Sequence, residues 1–186
     1  MRPPLTYYGG KQTLALYILK RIPPHAVYVE PFAGGAAVLF AKEPSAVEVL
    51  NDTNREIMTF YKVLQTDFEA LQQLIRHTLH SRKLHQDAAV ILQNPDLFTP
   101  VKIARAVRVQ ATMSYGSRLF GAFGYDLQKS ATTRKMQNKK ALFGPELKQR
   151  LERVTLENDN AIRIIKRYDG VNTFFYLDPP YINCAQ

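Results

Sequence analysis

The sequence has one cysteine, Cys184, and no apolar run near the roughly 20 residues of a membrane-spanning helix. A single cysteine supports neither a disulfide framework nor a structural zinc cluster. Residues 1–6 have no apolar signal core. The four histidines do not cluster with other candidate ligands. We therefore expect a cytoplasmic protein with no membrane segment and no bound metal.

Acidic residues are scarce in one segment of the chain. The 186 residues include 25 Lys and Arg and 16 Asp and Glu, a net charge of +9. Residues 101–150 contain 11 basic residues and only two acids, Asp126 and Glu146, so this segment carries the entire excess. A localised excess of this kind is typical of a surface that binds nucleic acid. A basic face that is merely solvated is the alternative.

The patterning predicts an α/β fold with an insertion. Short strands are expected at 27–30, 46–50, 154–156 and 173–177, and helices at 11–22, 36–42, 53–65 and 161–168. A strand, a glycine turn, a helix and a second strand form a βαβ unit, which implies parallel pairing. The segment 66–150 is mostly helical in pattern, with a glycine-rich and aromatic loop or hairpin at 114–125 and a polar, basic stretch at 128–140. We predict a core of residues 1–65 and 151–186, interrupted by an inserted domain of residues 66–150.

Acidic residues follow the predicted strands. They are Glu30, Asp52, the segment 157–159 and Asp178. Ligands of parallel α/β sheets bind beyond the carboxyl ends of the strands. A metal site is one interpretation, but a cofactor with hydroxyl groups and an ammonium group is the better one, because carboxylates accept hydrogen bonds from both.

The turn at 32–35 has glycines where a backbone can approach a ligand closely. It does not have the G-x-G-x-x-G spacing of a pyrophosphate binder. A bound nucleoside without phosphates fits this turn better than a dinucleotide. A tight strand-to-helix turn would use glycine in any case.

The segment 178–181 reads Asp-Pro-Pro-Tyr and is the strongest local signal. Its prolines cannot donate to a sheet ladder, so the strand must end there. The stiff turn presents a carboxylate, a proline carbonyl and an aromatic ring together. Two acceptors beside a flat ring suit a planar amine, whose lone pair they would draw out of conjugation. A proline turn with a buried tyrosine is the plainer alternative.

Taken in order, four segments resemble those of a Dam-like DNA adenine-N6 methyltransferase. They are YYGGK at 7–11, EPFAGG at 30–35, ND at 51–52 and DPPY at 178–181, with a long insertion before the last. The resemblance implies a Rossmann-like methyltransferase sheet that binds S-adenosylmethionine (AdoMet). It also implies methyl transfer to N6 of adenine in duplex DNA after the base is flipped out of the helix.

The resemblance also implies roles for individual residues. Asp178, Pro179, Pro180 and Tyr181 would hold the flipped adenine. Glu30 would meet the methionyl ammonium of AdoMet, Asp52 the ribose hydroxyls, and Asp159 or Asn160 the cofactor adenine. The positions expected to surround AdoMet are Tyr7, Gly10, Lys11, Glu30, Pro31, Phe32, Ala33, Gly34, Gly35, Asp52, Asp159, Asn160 and Asp178. The positions expected to contact DNA are Tyr115, Arg118, Lys129, Arg134, Lys135, Lys139 and Lys140.

The sequence ends five residues after Tyr181, whereas members of the resembled family continue with further strands. We therefore expect the C-terminal strands of the sheet to be missing and the strand before Asp178 to lie at an open edge. Such a chain would bind AdoMet weakly, methylate DNA poorly and associate with itself or with a polypeptide that supplies the remainder. Two alternatives stay open: a catalytically inactive remnant or split-enzyme subunit that binds AdoMet or DNA, and an N-methyltransferase that acts on RNA or protein.

Overall fold

The computed structural model describes residues 1–127 and 131–180, and the described chain contains one parallel sheet. Its strands lie in the order β3-β2-β1-β4, and each neighbouring pair is parallel. The predicted α/β architecture is thereby confirmed. The strands are β1 (Val27–Glu30), β2 (Val47–Asn51), β3 (Val154–Glu157) and β4 (Thr173–Phe175).

The described ranges also contain nine α-helices. Helix α9 begins and ends where the pattern predicted, because Asn160 caps it by accepting from the Ile162 N–H. Helices α2 and α3 differ from the predicted 36–42 and 53–65 by one or two residues at each end. The nine helices are α1 (Ala15–Leu19), α2 (Ala37–Ala41), α3 (Arg55–Thr66), α4 (Phe68–Arg76), α5 (Arg82–Gln93), α6 (Pro100–Met113), α7 (Ala131–Ala141), α8 (Glu146–Leu151) and α9 (Ala161–Tyr168).

Two segments differ clearly from expectation. The helix predicted at 11–22 is only α1, because turns precede it: the Gly10 N–H donates to Tyr7 O and the Leu14 N–H donates to Lys11 O. Most of the stretch 128–140, predicted only as polar and basic, belongs to α7. Met136 is the only buried hydrophobic side chain described in α7, so this helix has no apolar periodicity to reveal it.

The hydrophobic core lies between the sheet and the long helices. Phe60 and Leu64 of α3 and Val107 and Ala111 of α6 are fully buried in one cluster with Tyr28 of β1. This cluster therefore joins the sheet to helices of the segment 66–150. Truncating a core aromatic such as Phe60 to alanine would cost roughly 3–5 kcal/mol of folding free energy. The domain boundaries at 65/66 and 150/151 stay a prediction.

A buried ion network ties α2 to β2 and α8. Both oxygens of Glu48 are bound: Lys42 Nζ lies 2.6 Å from Oε1, and Arg150 Nη1 lies 2.5 Å from Oε2. Burial alone would raise the pKa of Glu48, but the hydrogen bonds from Arg150 and Lys42 outweigh it and lower that pKa. Arg150 is one of the 11 basic residues of the charged segment, but its side chain is buried and paired with Glu48.

Strand β4 lies at one end of the described sheet, with β1 on one side of it. This is where the open edge was expected. None of the helices in the described ranges is both long and apolar enough to span a bilayer.

Candidate active site

Residues from three strand ends and the N-terminal segment meet at the carboxyl edge of the sheet. Asp52 follows β2, Asp178 lies three residues after β4, and the glycine turn follows β1. Because the strands are parallel, their carboxyl ends share this edge, as predicted. The edge therefore presents acceptor oxygens next to the glycine turn, where Gly34 and Gly35 have no side chains.

Asn51 fastens the turns of this edge together. It is fully buried, and its Nδ2 donates to Pro31 O at 2.9 Å and to Asp159 O at 3.0 Å. Its Oδ1 accepts from the Asp159 N–H at 2.9 Å. Sequence reasoning did not assign Asn51 a role of its own, although a polar residue that ends a buried strand is a usable signal. It holds the segment after β1 and the segment after β3 at fixed positions.

The glycine turn is packed beneath Tyr7. Gly34 has a positive φ of 45°, and a Cβ there would lie 3.1 Å from Tyr7 Cδ1. A Cβ on Gly35 would lie 3.1 Å from Leu5 O. From the other side, the Tyr61 hydroxyl donates to Gly34 O at 2.8 Å. The positive φ and the close approach of the Tyr7 ring both favour glycine at 34.

Asp52 is half-buried beside this turn. Its Oδ2 accepts from the Gly34 N–H at 2.9 Å, and its Oδ1 accepts from the Asn54 N–H at 2.9 Å. Burial raises the pKa of Asp52, while these amide hydrogen bonds oppose the rise. The pKa of Tyr7 is raised too, first by burial and then by the charge of Asp52. Each carboxylate oxygen has two lone pairs, so Asp52 retains capacity to accept from ligand hydroxyls.

Pro31 and Ala33 are buried in the same turn, and Phe32 is half-buried. Gly10, by contrast, is exposed beside Lys11. The predicted cofactor positions of the N-terminal segment and of the glycine turn therefore lie together around Tyr7.

Glu30 lies deeper than expected. It is 1% exposed, and its Oε1 accepts from the Tyr28 hydroxyl and from the Leu39 N–H, both at 2.7 Å. Burial raises the pKa of Glu30 to about 7 in spite of these hydrogen bonds. In the structure Glu30 joins β1 to α2. Its contact with the methionyl ammonium of AdoMet stays a prediction.

Lys11 and Asp178 form an ion pair at the site. Lys11 Nζ lies 2.7 Å from both Asp178 carboxylate oxygens and also donates to Gly9 O at 2.9 Å. The two side chains are 18% and 25% exposed, so the pair is accessible from solvent. Pro179 and Pro180 follow and are exposed. Tyr181, predicted to stack on the target base, lies outside the described residues.

Asp159 and Asn160 already have partners within the protein. The Asp159 carboxylate accepts from Arg167 at 3.1 Å and from Arg163 at 3.4 Å, and these partners lower its pKa together with the Asn160 N–H, whose contribution is the largest. The Asn160 side chain is the cap of α9. Their predicted contact with the adenine of AdoMet therefore stays a prediction.

The loop at 114–125 is hairpin-like and reaches the N-terminal segment. The Tyr115 N–H donates to Ala122 O, and the Gly124 N–H donates to Met113 O, both at 2.7 Å. The guanidinium of Arg118 lies 4.1 Å from the centre of the Tyr8 ring. This contact brings a predicted DNA-binding residue next to the segment that contains Lys11. Tyr115 is 80% exposed on the same loop.

A buried polar network holds this loop against the helices. Gln110 Oε1 accepts from the Ser114 hydroxyl at 3.2 Å and from the Phe120 N–H at 3.0 Å. His85 Nε2 lies 2.8 Å from Ser114 Oγ, and Gln110 Nε2 donates to His85 O at 2.8 Å. Sequence reasoning missed Gln110 and His85, since only the tertiary fold brings them to the loop.

Four of the remaining predicted DNA-binding residues lie on α7. Arg134 and Lys135 are exposed, whereas Lys139 and Lys140 are half-buried. Lys129 lies outside the described residues. Across the ranges 1–127 and 131–180, no group of three or more His, Cys, Asp or Glu side chains is arranged to hold a metal ion.

Comparison with known proteins identifies the class of protein to which this chain belongs. The family model for D12 class N6 adenine-specific DNA methyltransferases matches residues 7–186, nearly the whole chain. The matched range includes the glycine turn, Asp52 and the Asp178 segment. The chain therefore belongs to the D12 class of N6 adenine-specific DNA methyltransferases, as its motifs predicted.

Individual relatives agree with this assignment. The type II methyltransferase M1.LlaDCHI of Lactococcus lactis subsp. cremoris is 26% identical over 200 residues, which cover all of this chain and 68% of that protein. The type II methyltransferase M.MjaIII of Methanocaldococcus jannaschii is 32% identical over 80 residues, or 38% of this chain and 28% of that protein. The DNA N-6-adenine-methyltransferase of Escherichia phage P1 is 36% identical over 63 residues, or 34% of this chain and 8% of that protein.

Proposed function

We propose that this chain transfers a methyl group from AdoMet to N6 of adenine in duplex DNA. One observation carries the proposal: the fold places Asp178 against Lys11, at the same sheet edge as the glycine turn and Asp52. In a D12 class chain, this juxtaposition supplies acceptors for a base amine beside a nucleoside-sized site. A soluble location in the cytoplasm follows from the proposed DNA substrate.

The residues at the edge fit AdoMet by the chemistry of their donors and acceptors. Asp52 retains capacity to accept from a ribose hydroxyl, and the ring of Tyr7 gives the site an apolar wall against the glycine turn. When bound, AdoMet supplies a methyl group already activated by its sulfonium. The contribution required of the protein is then chiefly alignment and exclusion of water, and no metal is needed.

Asp178 is the residue that would accept from the target amine. Its carboxylate and the Pro179 carbonyl would take the two N–H bonds of the adenine amino group, which draws the nitrogen lone pair out of the ring and toward the methyl group. In the structure, both Asp178 oxygens contact the Lys11 ammonium. The incoming amine must therefore share these oxygens with Lys11 or displace it. Tyr181 would stack on the flipped base.

The segment 66–150 would supply the DNA contacts. Arg118 is positioned by Tyr8 beside the site, where it could reach a base edge, and the exposed cations of α7 would meet phosphates. Sequence preference would depend on the loop at 114–125. General affinity would depend on the charges of α7.

Methylation with labelled AdoMet tests this proposal. The chain is incubated with unmethylated duplex DNA, RNA and a protein mixture in parallel, and the labelled product is digested and identified. Label in N6-methyladenine from DNA is the expected result. Label in RNA or protein would support the other substrate classes, and bound AdoMet without any transfer would support an inactive binding protein.

A further inference from the structure

A narrow cleft between α4, α6 and α7 concentrates positive charge, and it shares no lining residue with the sheet edge that carries Asp52 and Asp178. Its lining includes four cationic side chains and the hydroxyls of Thr78 and Thr112. No acidic side chain lines the cleft within the described chain. The four cations are Arg105, Arg108, Lys139 and Lys140.

Arg108 is the innermost of these cations and is only 7% exposed. It donates to two neutral carbonyls, those of Pro4 and Lys139, the latter at 2.8 Å. Its guanidinium also lies 4.5 Å from the centre of the Phe143 ring. These contacts satisfy hydrogen bonds without balancing the charge, and burial lowers the pKa of Arg108 to about 10. Within residues 1–127 and 131–180, no carboxylate pairs with Arg108. A buried cation without such a partner is costly, so the cleft is electrostatically suited to an anion.

The other cations are held toward the same cleft. Arg105 Nε donates to Thr78 Oγ1 at 3.0 Å, and the Thr78 hydroxyl donates to Leu74 O at 2.7 Å, which fixes the guanidinium plane. Lys140 Nζ donates to the Arg76 carbonyl at 3.1 Å. A fixed guanidinium is the arrangement that binds phosphate through two parallel hydrogen bonds.

Lys139 completes the cluster from α7. Burial is the largest cause that lowers its pKa, to about 8, followed by repulsion from Arg108 and Lys135. The Lys139 ammonium and the Arg108 guanidinium therefore repel each other in a partly desolvated place. An anion bound between them would remove that repulsion.

We propose that this cleft binds one phosphate group of the DNA backbone, with Arg105, Arg108 and Lys139 as its ligands. The inference rests on the proposed function for the source of the phosphate, while the anion site itself does not depend on methyl transfer. It also differs from the exposed patch of α7, because its charges are buried or half-buried and fixed by hydrogen bonds.

The N-terminal segment connects the cleft to the active site. Arg108 binds the carbonyl of Pro4, and Tyr8, four residues later, contacts Arg118 beside Lys11. Four residues span at most about 14 Å, so Pro4 at the cleft and Tyr8 beside the site lie on one short segment of the chain. A phosphate held there would fix the register of the duplex relative to Asp178.

Inorganic phosphate is the first probe. Thermal unfolding of the full chain is measured in phosphate and in chloride at equal ionic strength and pH. We expect phosphate to raise the melting temperature by a few degrees, and we expect Arg105→Gln and Lys139→Gln each to abolish most of that increase. Lys102→Gln, which removes an exposed charge from the same helix as Arg105, is the matched control and should keep it. Equal melting temperatures in the two salts would overturn the anion site.

A short duplex is the second probe. Arg105→Gln and Lys139→Gln should each weaken DNA binding and reduce the slope of log affinity against log salt, and the double variant should reduce it by about 0.9, the contribution of one phosphate. A phosphate-dependent melting temperature with unchanged salt slopes would show an anion site that DNA does not use, and would overturn the assignment to the backbone. The labelled-AdoMet assay separates the two proposals. Adenine methylation by the wild type, together with unchanged salt slopes in both variants, would overturn the phosphate site in the cleft and leave the proposed methyl transfer intact.

Discussion

Lys11 and Asp178 lie 167 positions apart in the chain, yet the Lys11 ammonium contacts both carboxylate oxygens of Asp178 at 2.7 Å. The contact joins the N-terminal segment to the turn after β4. It places a cation where the amino group of a target adenine is proposed to bind. The candidate site is therefore assembled by tertiary structure from the two ends of the described chain.

Asp178→Ala should abolish methyl transfer, because it removes the acceptor proposed for the target amine. AdoMet binding should weaken much less, since its other predicted contacts come from other strands. Turnover is measured with labelled AdoMet, and cofactor affinity by calorimetry. Asp169→Ala removes an exposed acid near the end of α9 and is the control. Turnover of Asp178→Ala within a few-fold of wild type would exclude the proposed role.

The Lys11–Asp178 ion pair should contribute measurable coupling to stability. We expect a double-mutant cycle of Lys11→Met and Asp178→Asn to give about 1 kcal/mol in denaturant unfolding, because the pair is partly shielded from solvent. The coupling should shrink as salt is added. Additive effects, within about 0.3 kcal/mol, would mean that the two side chains do not interact in solution.

Gln110→Ala should loosen the loop at 114–125. The change removes the acceptor for the Phe120 N–H and for the Ser114 hydroxyl. We expect amide exchange at Phe120 to accelerate by at least tenfold, and methylation of preferred and near-preferred duplexes to become more equal. Gln149→Ala, an exposed position on α8, is the control. Unchanged exchange at Phe120 would show that Gln110 does not hold the loop.

Glu30 should make stability fall as pH rises. Its pKa in the folded chain is about 7, against 4.5 for the ordinary side chain, so the folded state binds more protons between these values. The free energy of unfolding should then decrease from pH 4.5 to 7 by up to about 1.4 kcal/mol per pH unit, and level off above pH 7.

Glu30→Gln is the comparison for this effect, since its amide oxygen can still accept from Tyr28 and Leu39. The difference in unfolding free energy between wild type and Glu30→Gln should follow the same window of pH. A difference that is constant between pH 4.5 and 7 would show that Glu30 keeps an ordinary pKa.

The double variant Arg134→Gln, Lys135→Gln should weaken binding to all duplexes alike. Both residues are exposed on α7 and are proposed to contact phosphates. The slope of log affinity against log salt should fall by about 1.8, and the ratio of affinities for two sequences should not change. An unchanged slope would place the DNA-binding surface elsewhere.

The sequence predicted those parts of the fold that depend on local patterns. The strand at Val27–Glu30 and the helix at Ala161–Tyr168 were predicted to the residue, because β-branched and aromatic residues mark the strand locally and a helical pattern marks the helix. The gathering of Asp52 and Asp178 at one edge followed from parallel pairing. Helix α7 escaped prediction because one buried residue, Met136, gives no periodicity.

Features that depend on distant contacts could not be predicted in the same way. Net charge alone treated Arg150 as available to DNA, but its guanidinium is buried against the Glu48 carboxylate. The polar network of Gln110 joins residues that have no common pattern. In each case a polar side chain is buried by helices far away in sequence, which no local window records.

The central claim is that Asp178, at the carboxyl edge of the sheet, binds the target amine for methyl transfer to N6 of adenine in DNA. The most direct measurement incubates the chain with radiolabelled AdoMet and unmethylated duplex, and identifies the labelled nucleoside, beside Asp178→Ala. The label detects even low turnover. We predict label in N6-methyladenine from wild type and none from Asp178→Ala. Label on another base, in RNA or in protein, equal label from both proteins, or AdoMet binding without any labelled DNA would contradict the account.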